Sequence, residues 1–227
     1  MKSLTTAVLA ILAVSFVHLS AQEENRKVRF LLYGEPHINW LYSDEPHLET
    51  GTVRMGVDAG MRLDLNFDRY YAFSFGAGIH QTGGKIGFTD TLYLDRITGF
   101  DTLVPGTQIT YRLQYVEIPL AVKFKTPQIG YTTLFAEVGL DPMISTRALI
   151  DATDNSIIKE SFQQGVYGFN LAYHTGIGLV YELRNGMGLQ FQLVYQNTFL
   201  DVTREGNIRQ PDNTRLNQAG LSIGIIF

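Results

Sequence analysis

From Val166 to Gln196 the chain alternates, residue by residue, between apolar side chains and small or polar ones. Tyr167, Phe169, Leu171, Tyr173, Ile177, Leu179, Tyr181 and Leu183 share one parity. Gly168, Asn170, Ala172, His174, Gly176, Gly178 and Glu182 share the other. A period of two sustained this long is the mark of a β-strand, since successive side chains of a strand point to opposite faces. Asn185-Gly186 interrupts the pattern, and both central residues of a type I′ hairpin turn need positive φ, which Asn-Gly supplies. Beyond it Leu189, Phe191, Leu193 and Tyr195 resume the apolar face, opposite Gly188, Gln190, Gln192 and Gln196. The segment predicts a long hairpin with one greasy face and one polar, glycine-rich face.

The same alternation recurs along the chain. Val53 to Phe67 places Val53, Met55, Val57, Ala59, Met61, Leu63, Leu65 and Phe67 on one face. Arg54, Gly56, Asp58, Gly60, Arg62, Asp64 and Asn66 fall on the other. Further strands are predicted over Val28–Tyr33, Tyr70–His80, Thr107–Lys125, Tyr131 to about Met143, and a C-terminal segment through Ala219, Leu221, Ile223, Ile225 and Phe227. The parity of Thr107–Lys125 slips near Tyr115-Val116, which predicts a bulge there. Pro119 lacks a ladder donor, so it is expected at a bulge or an irregular pairing. Gly34 to Thr52 reads as a loop, with Trp40 and Tyr42 as membrane-boundary markers, and Gln81 to Gly106 as a long irregular stretch carrying a flap of β ribbon.

Counted in order, the connections alternate long and short, and the predicted strands number eight. Outer-membrane barrels have short periplasmic turns, long outer loops and an even strand count. Alternation alone also fits a soluble lipocalin-like barrel. Three features favour lipid. The polar parity is crowded with glycine and serine, as a narrow lumen requires. The apolar parity carries no charge in strands two to eight, and a lipid-facing charge costs about 2–4 kcal/mol at the midplane. Aromatics on that parity cluster near strand ends: Phe67, Tyr71, Phe124, Tyr181 and Phe227 at one, Tyr167, Phe169 and Tyr195 at the other. The expected fold is therefore all-β, an eight-stranded antiparallel up-and-down transmembrane β-barrel.

The polar face then becomes a lumen. Arg54, Asp58, Arg62, Asp64, Glu117, Lys123, Lys125, Glu137 and Glu182 point into it. Asp58, Glu117, Glu137 and His174 fall at similar depth, with Arg62 below. Buried charges need partners, so an ion-pair network plugging the barrel is expected, and an eight-stranded lumen is just wide enough for side chains.

Composition matters at three points. Met1-Lys2, the apolar run Leu4 to Val17 and Leu19-Ser20-Ala21 have the form of a secretory signal peptide over residues 1–21, leaving 22–227 as the barrel domain; an anchored N-terminal helix is the alternative. The net charge of −4 offers no basic footprint, so no nucleic acid is expected as a partner. There is no cysteine, which removes disulfides and thiolate metal sites.

The strand YVEIPLAVKFK, Tyr115 to Lys125, resembles the corresponding strand of the PorT-like outer-membrane β-barrel family. The glycine-rich strands, the N-terminal signal and the terminal aromatic agree with it over essentially the whole mature chain. The resemblance implies a small outer-membrane barrel, linked to protein secretion through PorT itself. Phe227 resembles the C-terminal aromatic read as a barrel-assembly signal, which implies the barrel-assembly machinery and outer-membrane lipid as partners.

Motifs for chemistry are sparse. His80 and His174 lie on the lumen parity, where they are either proton-linked or catalytic groups or hydrogen-bonded lumen residues. His37 and His47, with Asp44 and Glu45, match no metal-ligand spacing and read as a solvated loop. Asp90, Asp95 and Asp101 lack calcium-loop spacing. Thr82-Gly83-Gly84-Lys85 lacks the full phosphate-loop pattern, and no Gly-x-Ser-x-Gly elbow occurs. An outer-membrane enzyme, lipid-modifying or proteolytic, would need a rim cluster such as His37, Asp44 and His80. The reading preferred here is non-enzymatic: no cofactor, no metal, and a protein partner held by the extracellular loops, first of all Thr91 to Val104.

Overall fold

The computed structural model describes residues 27–43, 48–88, 92–96, 99–103, 106, 108–152, 159–183, 186–203 and 214–227. Eight antiparallel strands form a closed ring: β1 (Val28–Ser43), β2 (Arg54–Asn66), β3 (Tyr71–Phe88), β4 (Gln108–Glu117, resuming as Leu120–Lys125), β5 (Thr132–Ala152), β6 (Phe169–Glu182), β7 (Gly188–Thr198) and β8 (Thr214–Ile226). Each strand pairs with the next, and β8 returns to β1. Among the described residues no sheet edge is left open at membrane height, which a lipid environment demands.

The register shows how the ring is staggered. Starting at Arg29, successive partners are Asp64, Ser74, Ala121, Gly139, His174, Gln196 and Gln218, and the circuit closes on Asn39. One turn around the barrel thus climbs from Arg29 to Asn39 along β1. A stagger of this size tilts the strands by about 35–45° to the axis.

Outward positions are mostly apolar: Val57, Met61, Val122, Val138, Ile177, Phe191, Leu193 and Ile223 lie on the lipid side, most of them highly exposed to the surroundings, with uncharged Gln81 and Thr175 as exceptions. Aromatic pairs rim the short-turn end, with Phe67 on Tyr71 at 6.1 Å, Tyr71 on Phe124 at 5.8 Å and Tyr131 on Tyr181 at 6.1 Å between ring centroids. At the hairpin between β6 and β7, Gly186 has φ of 72°, the left-handed conformation the Asn-Gly signal calls for. Asn185 itself lies outside the described residues, as do the proposed signal segment and Asp44, Glu45, His47 and Asp90.

Three sequence expectations change. Gly34 to Ser43 is strand, not loop. Glu35, His37, Asn39 and Leu41 face in while Pro36 and Ile38 face out, and Pro36 sits opposite Val57. Second, β3 runs to Phe88 and β5 to Ala152, so both walls rise well beyond the bilayer. A membrane crossing takes about 9–11 strand residues, whereas β3 has 18 and β5 has 21. The β ribbon expected in the outer stretch is present, Leu92–Arg96 paired with Gly99–Leu103. Third, β4 does not change parity. The register does break between Gln114 and Tyr115, but Gln114 faces Arg147 and Tyr115 faces Ser145, so the extra residue is Thr146 on β5. Its hydroxyl donates to Gln114 O at 3.0 Å. Pro119 costs the ladder one donor without shifting it: Glu117 pairs Met143 and Leu120 pairs Leu140 on either side.

Candidate functional site in the barrel lumen

The lumen is built in layers. At the short-turn end Leu31, Tyr33, Phe135, Val180 and Ile226 form an apolar floor. Tyr33 fits there because its neighbours are bare: a Cβ on Gly60 or on Gly78 would lie 2.9 Å from its hydroxyl. Beyond the membrane centre a larger apolar layer closes the other end. Leu41, Ile86, Ile109, Tyr111, Leu113, Tyr115, Met143, Ala148 and Ile150 point inward from the walls. Phe162 folds in from the β5–β6 connection, its ring 6.3 Å from that of Tyr111.

Charged side chains occupy the space between. Glu137, 1% exposed, is the hub. Its Oε1 accepts from Arg62 Nη1 at 2.7 Å and Gln192 Nε2 at 3.2 Å, and faces His174 Nε2 at 3.1 Å. Lys123 Nζ donates to Asp64 Oδ2 at 2.7 Å and to Gln190 Oε1 at 3.3 Å, and lies 3.5 Å from Glu137 Oε2. Both cations also lie over rings of the floor, Arg62 over Tyr33 and Lys123 over Phe135, each 4.8 Å from the centroid. His174 Nδ1 faces Asp141 Oδ2 at 2.7 Å, and Gln196 donates to the same oxygen at 2.9 Å.

A second centre surrounds Asp58. His37 Nε2 is 3.1 Å and His80 Nδ1 is 2.7 Å from Asp58 Oδ1. Gln218 Nε2 donates to Asp58 Oδ2 at 3.0 Å. The two imidazoles stack with centroids 5.6 Å apart and planes 9° from parallel. Glu117 Oε2 reaches to 3.6 Å from His80 Nδ1.

Of the residues singled out in the sequence, the structure brings Asp58, Arg62, Asp64, Glu117, Lys123, Glu137 and His174 together. Glu182 lies at the short-turn rim instead, where Arg29 Nη1 donates to it at 2.7 Å. Lys125 donates to Asn66 Oδ1 at 2.6 Å. Arg54 stands apart: it donates to Tyr111 O at 2.8 Å and lines an outer cleft of about 400 Å³ with Arg112 and Arg147. Glu35, Asn39, Asp141 and Gln218 are not singled out in the sequence, and His37, read there as a loop or rim residue, lies buried in the lumen. Asp141 was legible, since the inward parity of Phe135, Glu137 and Gly139 runs straight into it. Phe227 lies on the lipid side, its backbone N–H donating to Phe30 O at 2.8 Å and its ring 6.3 Å from that of Phe30.

Residues 20–156 match the family model of the outer membrane protein β-barrel domain. No curated protein matches the chain. Among solved structures, Neisserial surface protein A is similar at 11% identity and a TM-score of 0.47, covering 87% of this chain and 95% of that one. OprG from Pseudomonas aeruginosa is similar at 10% identity and 0.45, covering 89% and 96%. Ail of Yersinia pestis is similar at 12% identity and 0.44, covering 89% and 100%. With the closed, lipid-facing ring and a family model spanning more than half its length, the chain belongs to the outer membrane protein β-barrel domain family and resides in the outer membrane.

Proposed function

We propose that the protein is a non-enzymatic, non-conducting barrel that acts through its extracellular β wall as a structural or accessory binding protein. The observation that carries this reading is the sealed lumen, an ion-pair plug between two apolar layers. A permeation path would have to break Arg62–Glu137 and Lys123–Asp64 and wet both layers. What remains for contact is the outer wall of β3, β4 and β5 with its ribbon at 92–103. The PorT-like resemblance of Tyr115 to Lys125 supports a link to protein secretion within this reading. The enzyme alternative loses its rim cluster, because His37 and His80 are buried under the apolar layer rather than standing at the mouth. Residues 1–21 serve as the signal peptide in this reading, and Phe227 as the assembly signal.

Planar-bilayer recording tests it. Folded protein should give no conductance steps above the bare membrane, and steady ohmic steps would overturn the reading. Deleting residues 92–103 should leave heat-modifiable migration intact and abolish capture of the partner that co-purifies from outer membranes; unchanged capture would move the contact elsewhere.

A further inference from the structure

The lumen holds more acidic side chains than fixed cations. Among the described residues, Glu35, Asp58, Asp64, Glu117, Glu137 and Asp141 are buried there, against Arg62 and Lys123. Arg62 and Lys123 are engaged by Glu137 and Asp64. Four of these acids, Glu35, Asp58, Glu117 and Asp141, line a void of about 10 Å³ together with Arg62 and His174. That is room for a single water-sized centre. Beside the void, one ligand atom each from His37, Asp58 and His80 lies within 4.8 Å of the others.

We propose that the lumen binds one divalent transition-metal ion of the zinc class, ligated by His37, Asp58 and His80. Ligand type and burial fit. Imidazole and carboxylate are zinc's ordinary donors, at about 2.0–2.2 Å from the ion, so donors sharing an ion lie roughly 3.3 Å apart. The His37–Asp58 contact, at 3.1 Å, opens by about 0.2 Å and the His80–Asp58 contact, at 2.7 Å, by about 0.6 Å, while the two imidazole donors, within 4.8 Å of each other, close toward the same spacing. Glu117 stands at 3.6 Å from His80 Nδ1, in position for the fourth site.

The surrounding shell points the same way. A metal-bound histidine fixes its other nitrogen on an oxygen, and His37 Nδ1 faces Asn39 Oδ1 at 2.6 Å. Gln218 orients the Asp58 carboxylate from its far oxygen. His80 is fully buried; its Nδ1 lies 2.7 Å from Asp58 Oδ1, and its Nε2 has no hydrogen-bond partner among the described residues. A buried polar ring held from one side only is costly, and a metal ion between Nδ1 and the Asp58 carboxylate gives it a firm partner there.

The test uses the full chain extracted from outer membranes in mild detergent, and the same chain refolded with zinc chloride or with chelator. Elemental analysis should find about one zinc per folded barrel, and zinc should raise the heat-modification midpoint by roughly 5 °C or more. H37A and H80A should each lose the metal, and H174A, outside the ligand set, should keep it. Cobalt in place of zinc should give visible bands in the wild type and not in H80A, a readout that separates metal loss from failure to fold. A folded wild-type barrel that carries no zinc after refolding in it, with a midpoint unmoved by zinc, overturns the proposal. So does metal retained equally in H37A and H80A; in both cases water or protons fill the site instead.

Discussion

Glu137→Gln is the sharpest probe of the lumen. The side chain keeps its shape and loses its charge. Among the described residues Arg62 then has no carboxylate at hydrogen-bond distance, Lys123 loses its second acid, and His174 keeps only Asp141. Breaking a buried ion pair by neutralising one partner costs about 3–5 kcal/mol. Arg62→Gln is expected to cost less, about 1–3 kcal/mol, because Glu137 retains His174, Gln192 and Lys123. Guanidinium unfolding of the detergent-folded barrel can be followed by the fluorescence of Trp40, the single tryptophan. With a slope of about 4 kcal/mol/M, the Glu137→Gln midpoint should fall by about 1 M and that of Arg62→Gln by about half as much. A Glu137→Gln shift below about 0.2 M, or a larger loss for Arg62→Gln, would refute the hub.

Val138→Arg puts a charge on the lipid face at mid-height and should cost about 2–4 kcal/mol in vesicle refolding, whereas Tyr131→Arg at the rim should cost about 0–1 kcal/mol. Gly83→Ala meets a φ of 149° and drives its methyl into Tyr111 O, so the outer half of β3 should loosen by about 1–3 kcal/mol in hydrogen exchange. At the outer loop, burial opposes ionisation of Asp151, but the Arg112 guanidinium and the Lys159 backbone N–H, donating at 2.6 Å, hold its carboxyl below the usual range. The sign follows: this lowered value favours the folded turn above the ordinary aspartate range near about pH 4, and the gain disappears as pH falls through the lowered value. Asp151→Asn should therefore remove the acid dependence of amide protection at Ala148–Ala152, with a neutral-pH cost below about 1 kcal/mol.

The membrane half of the fold was legible because lipid favours apolar side chains at outward positions such as Val57, Val138 and Ile223. The outer half was not. Above the bilayer the lumen itself turns apolar, so Tyr111, Leu113 and Tyr115 look outward in the sequence and point inward in space. That reversal imitates a parity slip in β4, when the extra residue is Thr146 on the strand opposite. The Asp58 centre was half hidden for a related reason. Glu35, Pro36 and His37 have the composition of a solvated loop, and only the pairing of β1 with β2 and β8 reveals their alternation. Long-range pairs such as Gln218 with Asp58 leave no local trace at all.

Among the described residues the walls of this barrel are of unequal height. β3 and β5 run to 18 and 21 residues while β7 stops at 11, and the tall strands stand side by side with β4 between them. The molecule consequently has a front and a back in the plane of the membrane, like a chair seen from above. A neighbour in the same leaflet meets a raised backbone screen from one bearing and a low sill from the other. Rotation about the membrane normal, which is immaterial for a symmetric cylinder, becomes part of how this one is recognised.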